Sequence, residues 1–150
     1  MKKILLIILI AITGSTVFAQ TYRGQTQMSP EDKLNEKYCT GLFKSAHGTI
    51  FDIQNEPSAS GYLNILDWLQ GRVAGLQIYT YRSGARVPFI RGNQASIFVD
   101  EMQMDARLFN SMPFNDIAMI KVIKTPFAGS FGNNSAIAIY TIEPEEGDDE

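Results

Sequence analysis

The residues best able to do chemistry in this chain are four carboxylates, one cysteine and one histidine. Asp100, Glu101, Asp105 and Asp116 cluster in sequence, a grouping that could suggest a carboxylate site. Catalysis by such a group needs a positioned base, a nucleophile or a metal-spaced ligand pair beside it. No histidine, ligand pair or nucleophile elbow accompanies these acids, so they read as solvated turns and caps. His47 is alone, with no second histidine or cysteine pair at zinc spacing. Cys39 has no partner for an internal disulfide; it is either buried and inert, the commoner state of a free thiol, or open to an intermolecular bond. Gly129-Ser130-Phe131-Gly132 lacks the Lys-Ser/Thr ending of a phosphate-binding loop. The chain therefore reads as non-enzymatic, with no catalytic, cofactor or metal residues.

The elements that would hold these groups are short. Ser29-Pro30-Glu31-Asp32 announces a helix: a capping hydroxyl, a proline suited to the first turn, and acids at the positive end of the dipole. Leu34, Tyr38 and Leu42 share its face, and Gly41 is the expected stop. A short extended piece is predicted from Gly48 to Ile53 and a loop around Asn55 to Ser58. Tyr62, Ile65, Leu66 and Leu69 recur at helical spacing, predicting a helix over 61–70 with Trp68 beside the buried face. Strands are predicted at 76–81, where apolar and polar residues alternate, and at 97–99, 117–124 and 136–142. Val87 to Arg91 reads as extended, with Pro88 favouring an edge. Asp100-Glu101 reads as a tight turn, and Asp105 to Ser111 as a short helix carrying Leu108. One mixed sheet built from the segments near 76–81, 97–100, 117–124 and 136–142, with helices packed on it, makes the fold class α+β.

The ends bear on location. Lys2 and Lys3, the apolar run Ile4 to Ile12, and Val17-Phe18-Ala19 follow the order of a secretory signal peptide, with Gln20 as the first mature residue. The run is far short of the about 20 apolar residues that span a bilayer. Losing Lys2 and Lys3 takes 13 basic residues to 11 against 16 acids, and the formal charge from −3 to −5. That balance excludes nucleic acid as a partner. The expected organisation is a leader over 1–19, an N-terminal extension with one helix over 20–59, a folded domain over 60–142 and a solvated acidic tail over 143–150. No stretch is suited to direct insertion into lipid.

A family resemblance enters at Leu69-Gln70-Gly71-Arg72-Val73-Ala74-Gly75-Leu76, which is similar to the L-x-G-x-x-x-G-(V/L) passage of TonB-dependent receptor plugs. Phe89-Ile90-Arg91-Gly92 resembles the family's IRG, Ile97-Phe98-Val99-Asp100 its VDG strand, and Asp116 to Lys124 its DIExIEVLK. Phe131-Gly132 and Ala136 to Thr141 resemble the closing YG and GGVIxIxT blocks. The blocks fall in family order across residues 60–142. Departures are Glu101 in place of the turn glycine, Lys121 in place of a glutamate, Thr125 in place of a glycine, and alanines near the closing glycines. No run of transmembrane barrel strands follows, and no TonB box is evident.

The resemblance implies a plug-like fold and a partner: an outer-membrane β-barrel on a separate chain, occluded from the periplasmic side. The barrel would be a receptor-type barrel or a protein-export translocon such as that of type 9 secretion. The alternative is a periplasmic adaptor that reuses the fold to bind a soluble or envelope partner. Arg91, at the IRG position, is the leading partner-binding candidate, for carboxylates on a barrel wall or for an internal salt bridge. Lys121, Lys124, Arg82 and Arg86 are further basic candidates.

Overall fold

The computed structural model describes residues 28–106, 112–127 and 135–142. The leader expected over 1–19, Leu108 of the helix expected over 105–111, the Phe131-Gly132 block and the acidic tail lie outside these described residues.

Helix α1 spans Pro30–Tyr38 and begins as its sequence dictates. The Ser29 hydroxyl accepts from the Asp32 N–H while the Asp32 carboxylate returns to the Ser29 N–H, a reciprocal capping box. It ends at Cys39, earlier than the glycine stop at Gly41. Strand β1, Thr49–Asp52, follows, and then a 3-10 turn over Pro57–Gly61. Helix α2 is only Ile65–Gln70, because Asn64 is its cap: the Asn64 carboxamide accepts from the Leu66 N–H at 2.8 Å. The late start leaves Tyr62 exposed instead of on the buried face, while Ile65, Leu66, Trp68 and Leu69 are buried as their spacing requires.

Two sheets form. The larger, in order β1-β7-β8-β5-β6, uses Thr49–Asp52, Ile117–Ile123 (β7), Ala136–Thr141 (β8), Ser96–Val99 (β5) and Met102–Met104 (β6). Its β5–β8 pair is parallel and the other pairs antiparallel. The smaller joins β2, Leu76–Thr80, to β3, Arg86–Ile90, and to the two-residue β4, Asn93–Gln94. The expected single sheet is thus corrected in one respect: the 76–80 strand pairs only with β3, through the tight turn at 82–84, and leaves the central sheet. Arg91 and Tyr81 donate to Gly75 and Ala85 at the two ends of this pair. That phase puts Pro88 at a non-hydrogen-bonded position against β2. β3 is the middle strand rather than the expected edge, and on its other side Pro88 accepts from the Ala95 N–H just past β4 without returning a bond.

The strongest strands lie at the centre. All seven residues of β7 and the first five of β8 are buried. On one face Ile120, Val122, Ile137 and Ile139 pack with α2 and with Leu76 and Ile90 of the small sheet. On the other, Met119, Ile123, Ala138 and Tyr140 pack with Tyr38, Cys39 and Phe43 of the N-terminal segment. A register shift between Ile117 and Met119 places Ala118 and Met119 together on that second face. Gly48 passes so close to β7 that a Cβ there would lie 2.7 Å from the Val122 carbonyl oxygen. The N-terminal segment is therefore a packed layer, and two-sided burial explains why β7 and β8 read as nearly continuous apolar runs.

Candidate functional site

The clustered acids do not converge on a reaction centre. Asp100 and Glu101 form the two-residue tip of the β5–β6 hairpin, both with left-handed backbone (φ 47° and 65°). For residues other than glycine that conformation costs roughly 1–2 kcal/mol each. Both side chains offset it with hydrogen bonds. The Asp100 carboxylate accepts from the Thr141 N–H at 2.9 Å and the Thr141 hydroxyl at 2.8 Å. The Glu101 carboxylate accepts the N–H groups of Thr40, Gly41 and Leu42 at 3.0, 2.9 and 3.0 Å, and the Tyr140 hydroxyl at 3.4 Å. The turn reading holds for this pair, with Asp100 exposed and Glu101 half-buried, but the acids are also anchors that fasten the hairpin to α1's exit and to β8.

Burial pushes the Glu101 carboxyl up, but the three N–H donors and the Tyr140 hydroxyl outweigh it and hold the pKa below the ordinary glutamate value. A depressed folded pKa stabilises the fold above the unfolded value, about 4.3, and that contribution is lost as pH falls through the folded pKa. Glu101→Gln should cost about 1–2 kcal/mol at pH 7, after discounting for partial exposure. The gap between wild type and variant should narrow in acid, which urea midpoints at pH 7 and near pH 3 would measure. A gap independent of pH would show that the anchor is not the ionised carboxylate.

Other groups behave as structure. Cys39 is fully buried, as its type predicts, and burial raises its thiol pKa against a hydrogen bond with Tyr140 and the nearby Lys121 charge. Among the described residues, no three His, Cys, Asp or Glu side chains gather as a metal site. A cleft of about 500 Å³ between the β2–β3 turn and the β5–β6 hairpin contains one carboxylate, Asp105, and no other acid and no base.

The basic candidates divide sharply. Lys121 is corrected: it is 2 % exposed, with its ammonium donating to the Asn35 carboxamide oxygen and the Phe43 carbonyl, both at 2.6 Å. Burial lowers its pKa, and it faces the N-terminal layer instead of a partner. Arg86 pairs with Asp67 of α2 at 3.1 Å. Arg82 is exposed in the β2–β3 turn, and Lys124 is half-buried just after β7. Arg91 has φ 53° and forms the β3–β4 turn with Gly92. Its stem runs past Gly75, whose φ of 81° suits glycine; a Cβ added there would meet the Arg91 Cγ at 3.6 Å, an ordinary contact. Arg91 makes no ion pair among the described residues, so the internal salt-bridge alternative has no partner there.

Helix α2, the Gly75 turn, the Arg91-Gly92 turn, the β5 strand and the β7–β8 pair stand in one order along the chain. The TonB-dependent Receptor Plug Domain family model matches residues 53–139, more than half of the sequence. The chain belongs to this plug-domain family. Among solved structures it is similar to the RagAB peptide importer in its closed-closed state, at 24% identity and a TM-score of 0.49, over 65% of this chain and 12% of that one. It is similar to the RagAB peptide transporter at 25% identity and 0.48, over 69% and 13%. A third is the pyoverdine outer membrane receptor FpvA from Pseudomonas aeruginosa bound to pyoverdine, at 17% and 0.49, over 66% and 16%. The chain thus spans a small part of each of these proteins. No curated protein matches it. The mixed sheets and short helices are those of a plug, and α1 and β1 precede the matched span.

Two features of this plug domain leave little or no local signal in the sequence. The bonds of Glu101 reach residues about sixty positions away, which no local pattern reveals. Tyr79 and Tyr81 are 52% and 54% exposed, and their alternation with Ile78 and Thr80 was the available signal.

Proposed function

We propose that this plug domain is a non-catalytic protein that occludes the lumen of a large outer-membrane β-barrel carried by a separate chain, after export to the periplasm. The observation that carries the reading is the plug-family match over residues 53–139. Physical logic supports it. A large barrel leaves a water-filled lumen that leaks solutes unless protein fills it. The filler must fold in water, present a polar exterior and not cross the bilayer on its own. The core here is closed on both faces of the central strands. Among the described residues, no helix is long and apolar enough to cross a membrane. Arg91, Arg82 and Lys124 are the basic side chains we assign to a polar lumen wall. A protein-export translocon, such as that of type 9 secretion, and a receptor-type barrel are the two partners that fit.

The test is detergent extraction of the outer membrane from the native host carrying a tagged chain. A barrel protein should leave the membrane with it and run as a distinct polypeptide. Recovery in the soluble fraction with a soluble partner would overturn the reading in favour of a periplasmic adaptor. Recovery of plug and barrel as one polypeptide would overturn the separate-chain part.

A further inference from the structure

Charge is unevenly spread along this plug domain. Residues 68–99 hold four arginines, no lysine and no acid, although the whole chain carries a formal charge of −3. Most of this stretch builds the small sheet. Two of its arginines are engaged locally: Arg72 stacks over Trp68 at 4.3 Å and Arg86 pairs with Asp67. Arg82 and Arg91 have no carboxylate partner among the described residues, and they stand at opposite ends of β3.

Between them lies an aromatic face. Leu76 and Ile90 turn towards the core, so the opposite parity, Gln77, Tyr79 and Phe89, turns outward. Tyr79 and Phe89 meet edge-on with ring centroids 5.0 Å apart. With Tyr81 they line a shallow hollow of about 400 Å³. Tyrosine and arginine without lysine, aspartate or glutamate is the composition of the core of a protein–protein interface. The neighbouring edge points the same way. Strand β2 is terminal in its sheet and runs five residues without a charge, proline or register shift. Free edges of soluble proteins are ordinarily blunted by such devices, and one left plain requires cover. Enclosure in a lumen would supply that cover.

We propose that the outward face of the β2–β3–β4 sheet, with Tyr79, Tyr81, Phe89 and Arg82, seats against the barrel's lumen wall, and that the wall meets it with carboxylates. This rests on the plug reading above and adds which side of the plug faces the wall and with what chemistry. The aromatic rings supply contact area at low entropic cost, and Arg82 fixes register through a charge-assisted bond to an acid.

The experiment places a photoreactive phenylalanine analogue at Tyr79, Tyr81 or, as a control, Lys33 on the exposed face of α1, in the full chain expressed in its native host. Tyr79 and Tyr81 should give barrel adducts and Lys33 few. Arg82→Glu should reduce the adduct at Tyr81 about tenfold by setting like charges opposite one another, with unchanged circular dichroism. Barrel adducts from Lys33 but not from Tyr79 or Tyr81 would overturn this face while leaving the plug reading intact. Undiminished adducts in Arg82→Glu would overturn the carboxylate wall. Adducts to a soluble protein alone would overturn the plug reading and this proposal with it.

Discussion

Lys121→Glu should largely unfold this protein, even though the family pattern carries a glutamate at this position of its DIExIEVLK block. In the native fold the Lys121 ammonium is 2 % exposed and lies 2.6 Å from two oxygen acceptors, the Asn35 side chain and the Phe43 carbonyl. Glutamate would bury a negative charge against both oxygens and beside the Cys39 thiol, with no donor to replace the lost one. Leaving a buried charge uncompensated costs about 3–5 kcal/mol, a large share of the roughly 5–15 kcal/mol that holds a domain of this size together. Lys121→Met is the comparator. It removes the charge at similar length and should cost about 1–3 kcal/mol, mainly through the Asn35 carboxamide oxygen left without its donor, since the Phe43 carbonyl still accepts from the Ala46 N–H. Denaturant midpoints of the two variants measure the difference. Equal and small shifts would show that the ammonium is not holding the N-terminal layer.

That layer gives Lys121 and Glu101 a common purpose. Both depart from the family pattern, and both bind the segment between Asn35 and Phe43: Glu101 through three N–H groups, Lys121 through two oxygens. The segment lies before the matched span and covers Met119, Ile123 and Ala138. Without it one apolar face of β7 and β8 would meet water. A positive and a negative side chain on adjacent parts of the sheet thus fasten a cover over the core, and the sealed core suits a domain that folds in water before meeting a barrel.

What was legible in the sequence was local. Ser29-Pro30 marked the start of α1, the Ile65, Leu66 and Leu69 spacing marked the buried side of α2, and β-branched runs marked β7 and β8. Asp100-Glu101 was recognisable as a turn, though not as a pair of anchors. What stayed hidden depended on distant residues. Lys121 sits in a strand whose every residue is buried, and its acceptors are 78 and 86 positions away; a lone lysine in an apolar run gives no sign of them. The split into two sheets was equally out of reach, because strand alternation fixes which side chains share a face and not which strands pair. For the basic candidates, residue type showed what each could bind, and only burial separated exposed Arg82 from enclosed Lys121.

Occlusion of a barrel is the central claim, and outer-membrane permeability tests it most directly. The gene would be deleted in the native host and the uptake of large antibiotics or dyes measured, with the partner barrel confirmed to be present in the membrane. An unfilled lumen passes solutes that a plugged one excludes, so the deletion strain should become leaky and the intact gene should restore the barrier. Unchanged permeability, with the barrel present and unplugged, would contradict the account.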